Sequence, residues 1–448
     1  MHHAAPRRTF HSLLLNTLIA NITTGFLWFA LIFWMYLETR SVIVTATLGG
    51  SYMLLTAAMG IPFGSWVDRT RKKRVMVIAQ TATTLLFTAS LALFLLTPQP
   101  RILAIGSLEM VAFVALVLAG AVAGSARGIA LSTCVTILVP DEERGRANGL
   151  VGMVGGMSFA LTSVFSGLAV GLLGMTWAIS IAATLTLLTL THLASIRIPE
   201  PTIIPGEEAP GLVDLGGAWR AIRRVPGLVW LIVFTTFNNA LAGVHMALLD
   251  AYGLTLVSVE FWGLLWGLLS FAFILGSAWV ARFGLGPKPL RALLVANIIM
   301  WTASLVFTLR ESIWLLAVGV VVYLALIPVA EAAEQTVLQR VVPLPQQGRV
   351  FGFAQSAEVA AMPAMGFLIG PVAEFGLIPY MDSPAGRSTW GWLLGAGDAR
   401  GIALVFVIAS LGGLAATLLA LASGPYRRLS RSYGHPSATV IVTHQEVS

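Results

Sequence analysis

The sequence predicts an all-α polytopic membrane protein with twelve transmembrane helices in two pseudo-symmetric six-helix bundles. Three observations carry that prediction. Of 448 residues, 57% are hydrophobic and only 10% charged, where a water-soluble domain carries about 25% charged residues to cover its surface. Twelve mostly apolar stretches of roughly 20 or more residues recur along the chain, each long enough to cross about 30 Å of hydrocarbon as helix. Two loop sequences also appear twice, in the same order, in the front and back portions.

Taken in order, the stretches run Leu13 to Leu37, Val44 to Trp66, Val75 to Leu96, Leu108 to Leu138, Ala147 to Leu172 and Thr176 to Ile196. A second set runs Gly227 to Leu249, Glu260 to Ala281, Ala292 to Leu309, Ser312 to Leu338, Val350 to Leu377 and Gly401 to Ala422. Lipid offers the backbone no hydrogen-bond partners, so each span is expected to be helical. The first is too long for a cleavable signal core and reads as a retained helix. The expected organisation is a short segment 1–12, a bundle 13–196, a linker 197–226, a bundle 227–422 and a tail 423–448. Pro199, Pro201, Pro205 and Pro210 mark the linker, with Glu200, Glu207, Glu208 and Asp214 and then Arg220, Arg223 and Arg224.

The net charge of +7 calls for no nucleic acid, because the basic residues alternate by loop instead of forming a face. Twelve spans place 21 of the 27 Lys and Arg on one side and five, Arg40, Arg101, Arg310, Arg387 and Arg400, on the other. The positive-inside rule then puts both termini in the cytoplasm, and the inner membrane is the expected location. Cys134 is the only cysteine, so no internal disulfide can form.

The first repeated frame is Gly64-Ser65-Trp66-Val67-Asp68-Arg69-Thr70-Arg71-Lys72-Lys73-Arg74, matched by Gly276-Ser277-Ala278-Trp279-Val280-Ala281-Arg282. The second is Val139-Pro140-Asp141-Glu142-Glu143-Arg144-Gly145-Arg146-Ala147-Asn148-Gly149, which aligns without gaps to Val342-Pro343-Leu344-Pro345-Gln346-Gln347-Gly348-Arg349-Val350-Phe351-Gly352. Both copies of the second frame close the fourth helix of their half and open the fifth, which indicates a duplication. Glycine spacings at 120/124/128, 152/156, 167/171 and 366/370 read as close helix packing, not as sites.

The whole membrane portion resembles a transporter of the major facilitator superfamily. The run Gly64 to Arg74 matches that family's signature between the second and third helices, departing at Arg71 where Gly is usual. Val139 to Gly149 and Gln339 to Gly352, continuing as Phe353-Ala354-Gln355-Ser356, resemble the macrolide-efflux-like branch of the drug:proton antiporters. Antiporters of that superfamily tend to carry a Gly-Pro followed by paired glycines in the fifth helix, whereas this chain has Thr162-Ser163-Val164-Phe165-Ser166-Gly167. A proline-derived bend is therefore available only in the other half, at Gly370-Pro371.

The resemblance implies a conformational latch of Gly64, Asp68, Arg69, Lys72 and Lys73 with Gly348 and Arg349, the Asp68 carboxylate docking where the eleventh helix starts. A helix N-terminus favours such a carboxylate by about 0.3 to 1 kcal/mol at an exposed site. Arg127 lies 13 residues before Pro140, about 20 Å along a helix and so near mid-membrane. The shift of 203 between the repeats carries it to position 330, beside Glu331. Two readings stay open: the charges face each other across a transport path, or each is satisfied within its own bundle. Glu334 stands one turn from Glu331, and two acids at that spacing repel when both are ionised, which suits them to trading protons against a ligand. Glu358 is a third candidate, shallow enough to reach the aqueous boundary. Asp250, Glu38 and Glu109 fall near span ends.

Uncharged polar residues gather in the first and seventh spans, including Asn16, Asn21, Thr235, Asn238, Asn239 and His245. Asn21, Asn239 and His245 are candidate cavity donors, and Trp28, Phe237 and Met246 a candidate apolar wall; packing against neighbouring helices or lipid is the alternative for each. The segment Ile378 to Arg400, with Trp390 and Trp392, is expected on the outer side, resting at the interface or covering the cavity mouth. No Gly-x-x-x-x-Gly-Lys-Ser/Thr loop and no His-Glu-x-x-His run occurs, so ATP-driven transport and zinc proteolysis are disfavoured and neither metal nor cofactor is expected. The expectation is a non-enzymatic monomer that exports amphiphilic small molecules or drugs against protons, its partners being substrate, protons and bilayer. A dedicated carrier of one solute, such as a siderophore, lipid or metabolite, and a non-transporting receptor are the alternatives.

Overall fold

A computed structural model describes residues 4–39, 42–104, 106–200, 213–395 and 399–434, and no strand occurs among them. Twelve long helices follow the twelve apolar stretches. In the first half they are α1 (Ala4–Thr39), α2 (Val42–Arg69), α3 (Lys72–Leu96), α4 (Leu108–Leu138), α5 (Arg144–Leu168) and α6 (Met175–Ser195). In the second they are α7 (Leu228–Leu256), α8 (Val259–Phe283), α9 (Pro289–Phe307), α10 (Ile313–Val341), α11 (Gln347–Val372) and α12 (Arg400–Ala422). Eleven stretches among the described residues are long and apolar enough to cross a membrane, and α2, 28 residues long, completes the set. Serine side chains start three of them: Ser107, Ser258 and Ser312 accept the amides of Met110, Phe261 and Leu315, supplying acceptors that the first turn lacks. Arg40, the linker residues Pro201, Pro205, Glu207, Glu208 and Pro210, and the tail from 435 lie outside the described residues.

Within the first half α3 packs on α4 and α6, and α1 packs on α4, α5 and α6. Within the second, α7 packs on α11 and α12, α9 on α10 and α12, and α8 on α10. Each half has an aromatic interior, with Trp34, Phe94 and Phe113 in one and Tyr252, Trp301, Phe307 and Phe406 in the other. The described residues nearest the two ends of the chain lie on one face, since Arg7 pairs with Glu143 at 2.5 Å and helix Gly424–Gly434 packs on α7, α10 and α12. That side is termed the terminal face, and the opposite side the distal face.

The halves meet along two seams, α2 against α11 and α5 against α8. In the first, backbone touches backbone. A Cβ on Gly64 would fall on the Gly348 carbonyl, one on Gly352 on the Gly60 carbonyl, and one on Gly348 on the Gly64 carbonyl. In the second, Gly149 lies against the Val280–Ala281 backbone and Gly156 against Phe273. Small residues four apart let helix axes approach closely. Of the spacings read from the sequence, 152/156 serves a seam, whereas Gly167, Gly171 and Gly370 have nothing within 4 Å of an added Cβ. Of the glycines that close the first seam, Gly64, Gly348 and Gly352 sit inside the repeated loop frames, where they read as signature residues and not as packing devices, and Gly60 lies one turn before its frame.

The helical irregularity is shared by the halves, contrary to the asymmetric bend that one proline suggests. Both α5 and α11 finish in a single π turn, Ala169–Leu173 and Ala373–Leu377. The turns are related by nearly the same offset as the loops, and one of them forms without any proline. The cause is an extra residue in the turn, a π bulge; Gly174, at φ 82°, then starts α6. On the distal side the excursion before α12 folds as helices Ile378–Asp382 and Pro384–Leu394. Trp390 packs against the second half's core and Trp392 is exposed.

Gly352→Val is expected to force α2 and α11 apart at a cost of about 1–3 kcal/mol, the usual range for overpacking. The separation of spin labels at the exposed Arg71 and Pro345 should lengthen relative to the wild type. An unchanged distance would mean that the seam tolerates a side chain there.

Candidate functional site

Where α2 ends against the start of α11, Asp68 Oδ1 accepts the Gly348 amide at 2.6 Å, and Oδ2 accepts the Arg349 amide at 3.0 Å and Arg349 Nε at 3.1 Å. The first turn of a helix presents unpartnered N–H groups, and a carboxylate satisfies two of them while meeting the positive end of the dipole. Both side chains are buried, so bulk salt screens the pair weakly. Arg349 also donates from Nη1 to Asp214 Oδ2 at 2.9 Å, and the Asp214 amide donates to Ser65 Oγ at 3.3 Å. Asp214 in turn caps linker helix Leu215–Arg224 through the Gly217 amide at 2.7 Å. The linker thus supplies a second carboxylate to the arginine. Its sequence signal was no more than an acid three residues ahead of the Gly217 amide.

Lys72 and Lys73 turn away from α11. Lys72 Nζ donates to the Val67 carbonyl and Lys73 Nζ to the Ala194 carbonyl, both at 2.9 Å. Their amides donate to Glu200 at 2.6 and 2.8 Å. The lysines cap the carbonyl ends of α2 and α6 while Glu200 caps α3, the arrangement that helix dipoles favour. Arg69 is half-buried and its Nε has no partner among the described residues. Behind the charges, Asn148 donates to Thr336 Oγ1 and Gln339 Oε1, each at 2.9 Å, and Gln339 donates to the Ser132 carbonyl at 3.1 Å. Among the described residues, the hydrogen bonds that cross between halves belong to this layer near the terminal face.

Deeper in, the acids of the second half come together. Glu358 Oε1 accepts from Thr235 Oγ1 of α7 at 2.8 Å. The Glu358 and Glu334 carboxyl groups are neighbours, and Glu334 Oε1 is buried with no hydrogen-bond partner among the described residues. Two carboxyl groups so placed form a hydrogen bond only when one of them carries a proton. Glu331, one turn along α10, is exposed although protein surrounds it, and it interacts through charge with Glu358. Exposure at that depth means that it lines a cleft. Glu358 is 11 residues into α11, about 16 Å along the helix. It is therefore deeper than its sequence position suggested, and it binds Thr235 and Glu334 instead of reaching the aqueous boundary. Both acid-bearing helices carry a proline toward the distal face, Pro328 in α10 and Pro363 in α11, and each removes a backbone hydrogen bond near the acids.

Arg127 does not face Glu331. Its Nη1 donates to Gln80 Oε1 at 2.5 Å and its Nη2 to Asn16 Oδ1 at 2.7 Å, on α3 and α1 of its own half. The amide groups are held in turn by α6: Gln80 donates to Thr189 Oγ1 at 2.8 Å and Asn16 to the Thr189 carbonyl at 2.8 Å. The bundle-internal reading of this arginine is the one observed, and the cross-bundle pairing is corrected. Gln80 went unnoticed because a lone amide in an apolar span has no spacing to mark it.

Helix periodicity sorts the seventh-span candidates, because successive side chains turn by 100°. Thr235, Asn239 and Met246 share the side on which Gly243 meets the Met362 backbone of α11; Asn239 is half-buried, donating to the Thr235 carbonyl, and Met246 is exposed. His245 points instead into the bundle, stacked on Tyr323 and Phe406 with Nε2 at 2.6 Å from Ser304 Oγ. It is thus corrected from cavity donor to interior residue. Phe237 lines a groove between α7, α9 and α12. In α1, Asn21 is exposed, while Trp28 is buried and stacks on Tyr52 at 4.8 Å. Asp250, at the distal end of α7, accepts from Trp262 Nε1 at 3.0 Å.

The family model described as Major Facilitator Superfamily matches residues 13–366. The enterobactin exporter EntS of Citrobacter koseri is 25% identical over 391 residues, 82% of this chain and 89% of that protein. Among solved structures, a bacterial homologue of the iron transporter ferroportin in an outward-facing state aligns with a TM-score of 0.67 at 16% identity, over 93% of this chain and all of that one. The human organic anion transporter MFSD10 aligns with a TM-score of 0.63 at 16% identity, over 92% and 99%.

Asp68→Asn keeps one acceptor but loses the charge opposite Arg349, and it is expected to weaken the closed terminal face by about 3 kcal/mol, as breaking a buried pair does. Asp214→Asn, at a more accessible carboxylate, should cost about 1 kcal/mol or less. The check is the rate at which a cysteine replacing Ser356, behind the seam, reacts with a water-soluble maleimide: fast in Asp68→Asn, intermediate in Asp214→Asn, slow in the parent.

Proposed function

The chain belongs to the Major Facilitator Superfamily, and from that premise we propose that it is a proton-coupled exporter of amphiphilic small molecules working by alternating access. The observation that carries this reading is the Thr235–Glu358–Glu334 cluster with the accessible Glu331 one turn away. Two carboxyl groups in contact bind a proton between them, and a positively charged or hydrogen-bonding cargo beside Glu331 competes for the same charge. Binding of one ligand then disfavours the other, which is the linkage an antiporter needs.

In the proposed cycle the terminal face lies in the cytoplasm of a cell whose inner membrane holds the protein as a monomer. The observed arrangement, shut at that face, is the one that opens outward. A proton arriving from outside joins Glu334 and Glu358, tying α10 to α11 and releasing cargo from the side lined by Asn239 and Met246, with Asn21 opposite. Parting of Asp68 from Gly348 and Arg349 then opens the cytoplasmic side, cargo binds near Glu331, and the proton leaves inward. Each charge moved across 100 mV supplies about 2.3 kcal/mol, enough to drive export. The loop resemblance to macrolide-efflux-like antiporters supports drug-like cargo. A second reading, export of one native solute, is favoured by the likeness to an enterobactin exporter.

In proteoliposomes with an imposed pH gradient, wild-type protein should accumulate a cationic dye, and Glu334→Gln and Glu358→Gln should each lose at least ~90% of gradient-driven uptake while keeping gradient-free exchange, since a proton site and not the pathway is removed. Glu331→Gln should weaken cargo binding and flatten its pH dependence, which in the wild type strengthens as pH rises and the acids ionise. Undiminished coupling in both Glu334→Gln and Glu358→Gln would sink the proton assignment, and flux restricted to a single solute would favour the second reading.

A further inference from the structure

An apolar cavity of about 440 Å³ opens on the flank of the second half, on the side of α7 turned away from Thr235 and the acids. Its walls come from α7 (Trp230, Phe234), α9 (Leu293), α12 (Leu419) and the helix Gly424–Gly434 (Tyr426, Leu429). From Gly227 to Phe237 it extends ten residues along α7, about 15 Å and hence half of a ~30 Å hydrocarbon core. That is the depth of one leaflet, beginning at the terminal face.

The rim is cationic. Arg427, Arg428 and Arg431 of helix Gly424–Gly434 are exposed, as are Lys288 and Arg291 beside the α9 wall. Neither Gly424–Gly434 nor α9 contains an acidic residue. The short helix is amphipathic by position: Tyr426, Leu429 and Tyr433 face the protein, with Leu429 buried and Tyr433 beneath the Arg340 guanidinium at 4.5 Å, and its arginines face outward. It is also seated on the start of α7, where Gly227, at φ 90°, leaves no room for a side chain beside the Pro425 carbonyl and Leu429. A leaflet-deep apolar slot whose mouth carries cations and no acid on either of these two helices matches a lipid with an acyl chain and an anionic headgroup.

We propose that this cavity is a binding site for an anionic phospholipid, with one acyl chain between α7, α9 and α12 and the phosphate held by Arg427, Arg428 and Arg431. Bound there, the lipid pins the C-terminal helix on the joint through which the linker, with its Asp214, meets α7. Each interfacial arginine contributes about fivefold to such binding, from roughly 1 kcal/mol per cation near an anionic surface.

Trp230 reports occupancy, since it lines the cavity and is 62% exposed. The full chain is reconstituted in phosphatidylcholine vesicles containing brominated phosphatidylglycerol or brominated phosphatidylcholine. The Trp230 signal is taken as the difference between the wild type and Trp230→Phe. Phosphatidylglycerol is expected to quench it at a mole fraction at least ~tenfold lower than phosphatidylcholine, and the triple variant Arg427→Gln/Arg428→Gln/Arg431→Gln to abolish that preference. The pair Lys288→Gln/Arg291→Gln, on a separate helix, should reduce it independently of how the short helix folds. Equal quenching by the two lipids, a preference that survives both variants, or relief of quenching by free inorganic phosphate or an exported amphiphile would overturn the proposal.

Discussion

The architecture depends on how closely α2 and α11 approach at the terminal face. Gly60 and Gly64 face Gly348 and Gly352 with no side chain between them, which lets the Asp68 carboxylate reach the first amides of α11. Dispersion acts over short distances and a helix terminus holds its unpartnered amides within a single turn, so the packing and the electrostatic contact require the same proximity. Such a contact is strong when made and worthless when the helices part. The pseudo-symmetric seam between α5 and α8 has the close packing without the charge: Val280 stands where the repeat would place Asp68, and it packs on Gly149. One seam is thus held by packing and charge, the other by packing alone.

The buried charges follow a related logic. Arg127 Nη1 and Nη2 are hydrogen-bonded to Gln80 and Asn16 within the first half, and Glu358 to Thr235 within the second. A mid-depth ion pair spanning the halves would lose its partner whenever they separated, and an uncompensated charge in low dielectric costs several kcal/mol. Partners within one bundle persist through rigid-body movement. Charges shared across the interface are therefore found near the aqueous boundary, where water takes the place of a lost partner.

Much of the fold was legible because lipid is an exacting solvent. Apolar length marks helices, and loop charge marks their sidedness. The family resemblance implied the meeting of Asp68 with Gly348 and Arg349, and the hydrogen bonds between them are present. The repeat misled for Arg127 and Glu331, because equivalent positions in two halves share depth but not necessarily direction. Asp214, Gln80 and Asn148 stayed hidden, as each finds its partner on a helix distant in sequence. The α7 candidates scattered to three sides for a simpler reason: Thr235, Phe237 and His245 are near neighbours in sequence, but 100° per residue points them at α11, at the groove beside α9 and α12, and into the bundle.

By itself, the sequence determined the number and length of the helices and the kinship of the two halves, because hydrophobic length, loop charge and duplication are one-dimensional properties; the approach of the second helix to the eleventh came from the family resemblance. Tertiary structure alone decided which polar groups meet. Hydrogen bonding depends on rotation about each helix axis and on ångström-scale distances between helices, neither of which linear order encodes; hence Glu358 reaches Glu334 and Thr235 while Arg127 turns to amides in its own bundle.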